Sequence, residues 1–170
     1  PYVKELIEEL TREKVISIYQ NINKANSSRT YGRAYKKLYG VDKLLDNIGD
    51  YKFYLSPNSF FQVNRVQTEA LYSKAMEYLD LKMDDIVYDL YCGIGTISLF
   101  VAPHVKKVYG VEIVNEAIED AKYNAELNNI DNVEFMVGKA EILLPKLVKV
   151  GIESNKVVLD PPRKGCEKEV

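Results

Sequence analysis

A turn containing two glycines follows a short apolar segment near the middle of the chain. The segment IVYDL (86–90) predicts a buried strand, and Gly93 and Gly95 stand in the turn after it. Because glycine has no Cβ, the backbone can turn tightly there and approach a ligand closely. Asp89, just ahead of the turn, would repel a pyrophosphate but suits a ligand that carries an ammonium group. The turn therefore favours S-adenosylmethionine over a dinucleotide.

Two further carboxylates stand at the ends of predicted strands. Glu112 ends KVYGVE (107–112), where a carboxylate can accept hydrogen bonds from both ribose hydroxyls of an adenosine; the alternative is a solvated glutamate. Asp160 ends KVVLD (156–160), and the two prolines after it force a rigid turn; the alternative is a turn without a ligand. Since parallel strands end at one edge of a sheet, both carboxylates are predicted to lie near Asp89.

The segment SPNSFFQVN (56–64) precedes a helical pattern and combines aromatic with amide side chains. Phe60, Phe61 and Gln62 suggest a lid with a polar tip over a binding site. The alternative is that Asn64 caps the next helix and that the two phenylalanines fill the core.

Helical and strand patterns alternate from residue 64 to the carboxyl end. Predicted helices cover 64–80, 96–102, 115–129 and 139–149, and predicted strands cover 86–90, 107–112, 133–137 and 156–160. The strands are near-continuous apolar runs, as expected when both faces of a parallel sheet are buried. The alternation predicts an α/β fold with an open, doubly wound, Rossmann-like sheet.

The first third of the chain has a different pattern. Residues 3–13 predict an amphipathic helix, and three short β-branched and aromatic segments predict small antiparallel strands: VISIYQ, AYKKLY and YKFYLS. We therefore predict that residues 1–52 belong to a small α+β domain and residues 53–170 to the cofactor-binding domain. Residues 24–37 are basic and rich in tyrosine, which suits RNA phosphates and unpaired bases; the alternative is a solvated hairpin.

Composition restricts the compartment and the partners. The net charge of −2 and the pI near 5.6 show no general basic surplus of the kind that nucleic-acid binders carry, so any RNA-binding surface is expected to be local. No apolar run approaches the length of a membrane span, and no secretion signal opens the chain. The two cysteines are too few for a disulfide framework or a zinc site, so we expect a cytoplasmic protein without a bound metal.

Four motifs together resemble one enzyme family. S-F-F-Q-V-N (59–64), D-L-Y-C-G-I-G-T (89–96), G-V-E (110–112) and D-P-P-R-K-G (160–165) resemble the bacterial RNA 5-methyluridine methyltransferases, most closely those acting on 23S ribosomal RNA. The resemblance implies a class I methyltransferase fold in which S-adenosylmethionine contacts four side chains and a fifth lines its pocket. These are Gln62, Tyr91, Glu112 and Asp160, with Thr96 in the lining. It also implies that residues 1–52 help to hold RNA.

The same resemblance implies chemistry for which this chain lacks residues. The family adds a cysteine thiolate to C6 of uracil, so that C5 can attack the methyl group, and a base then removes the C5 proton. That cysteine stands in an S-C-N-P-type motif, which does not occur here. Cys92 is better explained by packing, and Cys166 lacks the motif context. We expect both catalytic groups after Val170, so that this chain binds the cofactor without methylating.

Two other expectations follow from the resemblance. The chain would supply four of seven strands in the order 3-2-1-4, and strand 156–160 would form an open edge that favours self-association. A transfer RNA uracil methyltransferase is the alternative within the family, and a silent cofactor- or RNA-binding module is the alternative outside it.

Overall fold

The computed structural model describes residues 2–23, 32, 34–162 and 165–168 of a chain that forms two compact units. The first unit, Pro1–Leu44, contains helix α1 (Val3–Arg12) and strands β1 (Ser17–Ile22) and β2 (Ala34–Gly40). The two strands pair antiparallel, from Ser17 opposite Gly40 to Ile22 opposite Ala34. The helix and both strands occur where the sequence predicts them.

The basic, tyrosine-rich segment is described only in part. Lys36 and Lys37 are exposed on β2, and Lys37 forms an ion pair with Asp42. The other three basic residues of 24–37, Lys24, Arg29 and Arg33, lie outside the described residues, so the choice between an RNA-binding surface and a solvated hairpin stays open.

The second unit, Leu45–Val170, contains the α/β sheet. Two short strands, β3 and β4, come first, and helices and strands alternate after them. The elements are β3 (Leu44–Ile48), β4 (Tyr51–Leu55), α2 (Arg65–Leu79), β5 (Ile86–Leu90), α3 (Thr96–Val101), β6 (Lys107–Glu112), α4 (Asn115–Leu127), β7 (Val133–Val137), α5 (Ala140–Lys149) and β8 (Lys156–Leu159). A short 3₁₀ turn, Ala102–His104, follows α3.

The four-stranded sheet is parallel, in the order β7-β6-β5-β8. This confirms the predicted order, with β5 central and β8 at an edge. Alternate residues of β5 face opposite layers: Val87 packs in a cluster with Val101 and Val108, whereas Tyr88 and Leu90 pack with α5. Burial on both faces explains why these strands are apolar along their length.

The boundary between the units differs from the one that the sequence suggested. The predicted division at residue 52 shifts to residue 44, because β3 and β4 pack with the sheet unit. Ile48 and Phe53 are fully buried in the same cluster as Ile118 of α4. Strand β3 has no clear strand pattern in the sequence, because its segment LLDNI contains two turn-favouring residues. Among the described residues, no helix is both long and apolar enough to cross a bilayer.

Candidate functional site

The loop after β5 is held in an unusual backbone conformation. Tyr91, Gly93 and Gly95 all have positive φ, at 67°, 55° and 83°, and tyrosine rarely adopts this conformation. The amides of Tyr91 and Cys92 both donate to the carbonyl of Val111, at 2.8 and 3.1 Å. These two hydrogen bonds turn the loop across the end of the neighbouring strand β6, so the strained tyrosine stands at the sheet edge.

The two glycines of this loop have different roles. A Cβ on Gly93 would meet nothing within 4 Å, so this residue leaves open space beside the backbone. A Cβ on Gly95 would lie 2.7 Å from Cζ of Phe135, so Gly95 allows the loop to pack against β7. Gly93 lines the cavity at this edge, and Gly95 is not among the lining residues. The prediction that both glycines approach a ligand therefore needs correction for Gly95.

Glu112 is fixed at the end of β6 by two backbone amides. Its Oε2 accepts from Gly93 N at 3.3 Å, and its Oε1 accepts from Val114 N at 2.9 Å. Each carboxylate oxygen can accept more than one hydrogen bond, so acceptor capacity remains on both. The side chain is thus oriented by the backbone and can still receive two hydroxyl donors.

Asp160 stands at the same edge, at the end of β8. Its amide donates to the Leu90 carbonyl at 3.4 Å, which aligns the chain with the end of β5 before Pro161 and Pro162 turn it away. The residue is exposed and lines the cavity.

The segment between β4 and α2 contributes another wall. Asn64 caps α2, because its side chain accepts from Gln67 N, and Phe61 packs against Phe53 with ring centroids 5.8 Å apart. The cap alternative is therefore correct for Asn64, whereas Phe61 both packs against the core and lines the cavity. Phe60 is 74% exposed, yet both it and Gln62 line the cavity.

These elements enclose a cavity of about 670 Å³ at the carboxyl ends of the parallel strands. This volume lies within the range of small-molecule and cofactor sites. Six of the eight predicted cofactor-binding residues line it: Gln62, Tyr91, Gly93, Thr96, Glu112 and Asp160.

Sequence reasoning missed two parts of the lining. Tyr72 of α2 is buried, and its hydroxyl donates to Thr96 Oγ1 at 2.9 Å. It therefore orients Thr96, one of the predicted cofactor-binding residues. In sequence it is one more aromatic residue on a helix. The segment 138–141, after β7, also lines the cavity. Its position at the end of the third strand was a usable signal.

Asp89 differs most from its predicted role. Its side chain is fully buried and is not among the cavity-lining residues. Oδ2 accepts from Ser98 Oγ at 2.6 Å, while Oδ1 has no hydrogen-bond partner among the described residues. Burial, and to a smaller extent the negative charges of Asp160 and Glu112, raise the pKa of Asp89 to about 7. A direct contact between this carboxylate and a bound ammonium group does not fit such burial.

Comparison with known proteins identifies the family. The family model described as tRNA (uracil-5-)-methyltransferase matches residues 32–170. The chain belongs to this family. An RNA methyltransferase of Clostridium tetani is 56% identical over the whole of this chain, which spans 37% of that relative's length. A second, from Oceanobacillus iheyensis, is 52% identical over 98% of the chain, again 37% of the relative.

Solved structures agree with the family and the fold. The tRNA (uracil-54, C5)-methyltransferase of Pyrococcus abyssi, in complex with S-adenosyl-L-homocysteine, is 30% identical, with a TM-score of 0.66 over 90% of this chain and 36% of that one. The tRNA m1G37 methyltransferase of Methanocaldococcus jannaschii, at 20% identity and a TM-score of 0.58 over 77% of this chain and 39% of its own, shares the fold. The predicted Rossmann-like methyltransferase fold is confirmed.

The two cysteines of this family member occupy different environments. Cys92 is 6% exposed, and burial raises the pKa of its thiol well above the ordinary value, which keeps it protonated and unreactive. Cys166 is exposed. Its two neighbours in sequence, Gly165 and Glu167, line the cavity, but Cys166 itself is not among the lining residues. The pKa of the Tyr91 hydroxyl is raised, mainly because the group is partly desolvated and to a smaller extent because of the Cys166 thiol.

Proposed function

We propose that this chain is the cofactor-binding part of an S-adenosylmethionine-dependent methyltransferase that modifies C5 of uridine in RNA. The observation that carries the proposal is the convergence of Gln62, Tyr91, Glu112 and Asp160 on one cavity at the sheet edge. These are the residues that the family motifs assign to the cofactor, and they come from four separate segments. Family membership supports the reaction type.

The residues of the cavity suit an adenosine with a cationic tail. Glu112 would accept hydrogen bonds from the two ribose hydroxyls, because its hydrogen bonds with backbone amides leave acceptor capacity on both oxygens. Gln62, Tyr91, Thr96 and Asp160 would supply the other polar and aromatic contacts to the bound cofactor. When bound, S-adenosylmethionine supplies an electrophilic methyl group on a sulfonium centre. The carboxylates of Glu112 and Asp160 favour that positive charge.

Calorimetric titration with S-adenosylmethionine tests this assignment. Replacing Glu112 with glutamine removes the charge from an acceptor of two hydroxyls, which is expected to weaken binding roughly tenfold to a hundredfold. Glu116→Gln, on the exposed first turn of α4, is the matched control and should leave binding unchanged. Wild-type affinity in the Glu112 variant would contradict the assigned ribose contact.

The nucleophile is proposed to lie outside this chain. The buried Cys92 cannot reach a base, and Cys166 is expected to contribute packing beside Tyr91. In the full-length protein, Cys92→Ser and Cys166→Ser should both retain methyl transfer to RNA. Trapping of 5-fluorouridine RNA on Cys166, read by mass spectrometry of the adduct, would contradict this assignment.

We propose 23S ribosomal RNA as the substrate and the cytoplasm as the compartment. Transfer RNA is the second candidate, favoured by the similarity to the Pyrococcus abyssi tRNA enzyme. The full-length protein, methyl-labelled cofactor and each purified RNA distinguish the two. Label in 5-methyluridine of 23S RNA alone supports the first, and label in transfer RNA alone supports the second. Cofactor binding with no transfer to either RNA would favour a silent binding module.

Self-association of the chain is proposed through β8. This strand pairs only with β5 among the described residues, and Val157 and Leu159 are each 47% exposed. An apolar strand edge of this kind can pair with a second copy. Light scattering after size exclusion should show a mass that rises with concentration, and a monomer at all concentrations would contradict the proposal.

A further inference from the structure

Helix α4 and its C-cap residue carry a row of polar side chains that faces the backbone of β4 and the turn after it. The side chains stand four residues apart and the backbone positions stand two residues apart. The helix positions are Asp120, Asn124 and Asn128, and the backbone positions are Ser56, Tyr54 and Lys52. Four helical residues rise about 6 Å and two strand residues about 7 Å, so the two repeats match closely.

The two asparagines hold β4 itself. Asn128 Oδ1 accepts from Lys52 N at 2.9 Å, and its Nδ2 donates to Lys52 O at 2.7 Å. Asn124, fully buried, accepts from Tyr54 N at 2.7 Å and also donates to Ile94 O at 3.2 Å. These bonds fix the strand against the helix.

Asp120 holds the turn that comes after the strand. It is 1% exposed and accepts from Ser56 N at 3.1 Å, Ser56 Oγ at 2.9 Å and Ser59 Oγ at 2.7 Å. Ser59 N also donates to Ser56 O at 3.0 Å, which closes the turn on itself. A buried carboxylate therefore fixes both ends of this short turn.

The turn leads directly into one wall of the cavity. Phe60 and Gln62 line the cavity immediately after Ser59, and α4 begins three residues after Glu112. The amide of Val114 donates to Glu112 Oε1, so the start of α4 also orients that carboxylate. One helix thus holds Glu112 at its beginning and the Gln62 segment through Asp120.

We propose that Asp120 is a positioning residue for the cofactor site: it keeps the turn 56–59 docked on α4 and thereby holds Gln62 at a fixed distance from Glu112. The inference rests on the proposed function only in taking S-adenosylmethionine as the ligand. Asp120 is not among the residues that line the cavity, so we expect its effect on the site to pass through the order of the segment 56–62.

Two measurements on the full-length protein test the proposal. The first is hydrogen exchange of residues 56–62 in the ligand-free protein, and the second is the Kd for S-adenosylmethionine. Asp120→Ala should speed exchange in the segment. If it leaves the segment docked in only a tenth of the molecules, the apparent Kd rises about tenfold. Asp120→Asn keeps an acceptor for Ser56 N and should restore much of the affinity.

Asn128→Ala is the matched control. It removes the hydrogen bonds to Lys52, which is not among the cavity-lining residues, and one to the carbonyl of Asn124. It should lower stability without changing the Kd or the exchange of 56–62. If Asp120→Ala does not fold, Ser59→Ala can be used instead. It removes only the 2.7 Å hydrogen bond from Ser59 Oγ to Asp120 and should produce smaller changes in exchange and Kd in the same direction.

The outcomes separate this proposal from the proposed function. Wild-type exchange and wild-type Kd in folded Asp120→Ala would overturn the positioning role. An equal rise in Kd for Asn128→Ala would also overturn it, because the effect would then be general destabilisation. If the wild type does not bind S-adenosylmethionine, the proposed function fails, while the exchange experiment still decides whether Asp120 docks the turn.

Discussion

Asp89→Asn should make the chain more stable at neutral pH and flatten the pH dependence of its stability. The carboxylate is fully buried below the cofactor loop, with one oxygen bonded to Ser98 and the other without a partner among the described residues. Asparagine has almost the same shape and can still accept from Ser98, but it carries no charge at any pH. The substitution therefore isolates the effect of ionising a buried group.

The magnitude follows from the pKa of Asp89. Because burial raises this pKa from 3.8 to about 7, the folded chain keeps a proton that the unfolded chain releases, which amounts to about 4 kcal/mol in full. The stabilisation is complete below the unfolded pKa near 4 and is lost as pH rises through the folded value near 7. About 2–3 kcal/mol of the loss falls between pH 5 and pH 8.

Denaturant unfolding of the 170-residue chain at pH 5 and pH 8 measures the effect. The wild type should lose about 2–3 kcal/mol more than Asp89→Asn across this interval, since other titrating groups contribute equally to both. Ser98→Ala removes the bond that lowers the pKa of Asp89, so it should move the loss to higher pH. Equal pH slopes in the wild type and Asp89→Asn would refute the reasoning.

Two further substitutions test packing at the site. Gly95→Ala should lower the free energy of unfolding by about 2–4 kcal/mol, because φ is +83° and the new Cβ meets the Phe135 ring at 2.7 Å. The control is Gly151→Ala, where φ is +80° but the space is open, and the expected loss is only about 1 kcal/mol. Equal losses in thermal unfolding would remove the close contact as the cause. Tyr72→Phe breaks the hydrogen bond to Thr96 and should cost about 1 kcal/mol, and an unchanged unfolding midpoint would show that this bond contributes nothing.

The sheet could be predicted from sequence because its strands and helices have strong, distinct periods. The predicted segments 86–90, 107–112 and 133–137 coincide with β5, β6 and β7, since the strands of a parallel sheet that is covered on both faces are largely apolar. The convergence of Glu112 and Asp160 followed from one geometric fact, that parallel strands end together. Local pattern and global fold agree in this part of the chain.

What the sequence analysis missed depends on tertiary packing. β3 has no strong strand pattern and is fixed by the burial of Ile48. Asp89 has the spacing of a ligand-binding carboxylate, and only its burial shows that it lies below the cavity. Asp120 lies in the predicted helix 115–129, but its role depends on the turn 56–59 that packs beside α4, which the helix pattern does not show.

The asparagines of α4 have a consequence for how this protein avoids mispairing. A carboxamide has the same donor and acceptor as a peptide group, so Asn124 and Asn128 act as a surrogate neighbouring strand for β4. They occupy the amides and carbonyls of Tyr54 and Lys52 that an incoming chain would otherwise use. Replacing either asparagine would therefore expose a second site for intermolecular strand addition, in addition to the open edge of β8.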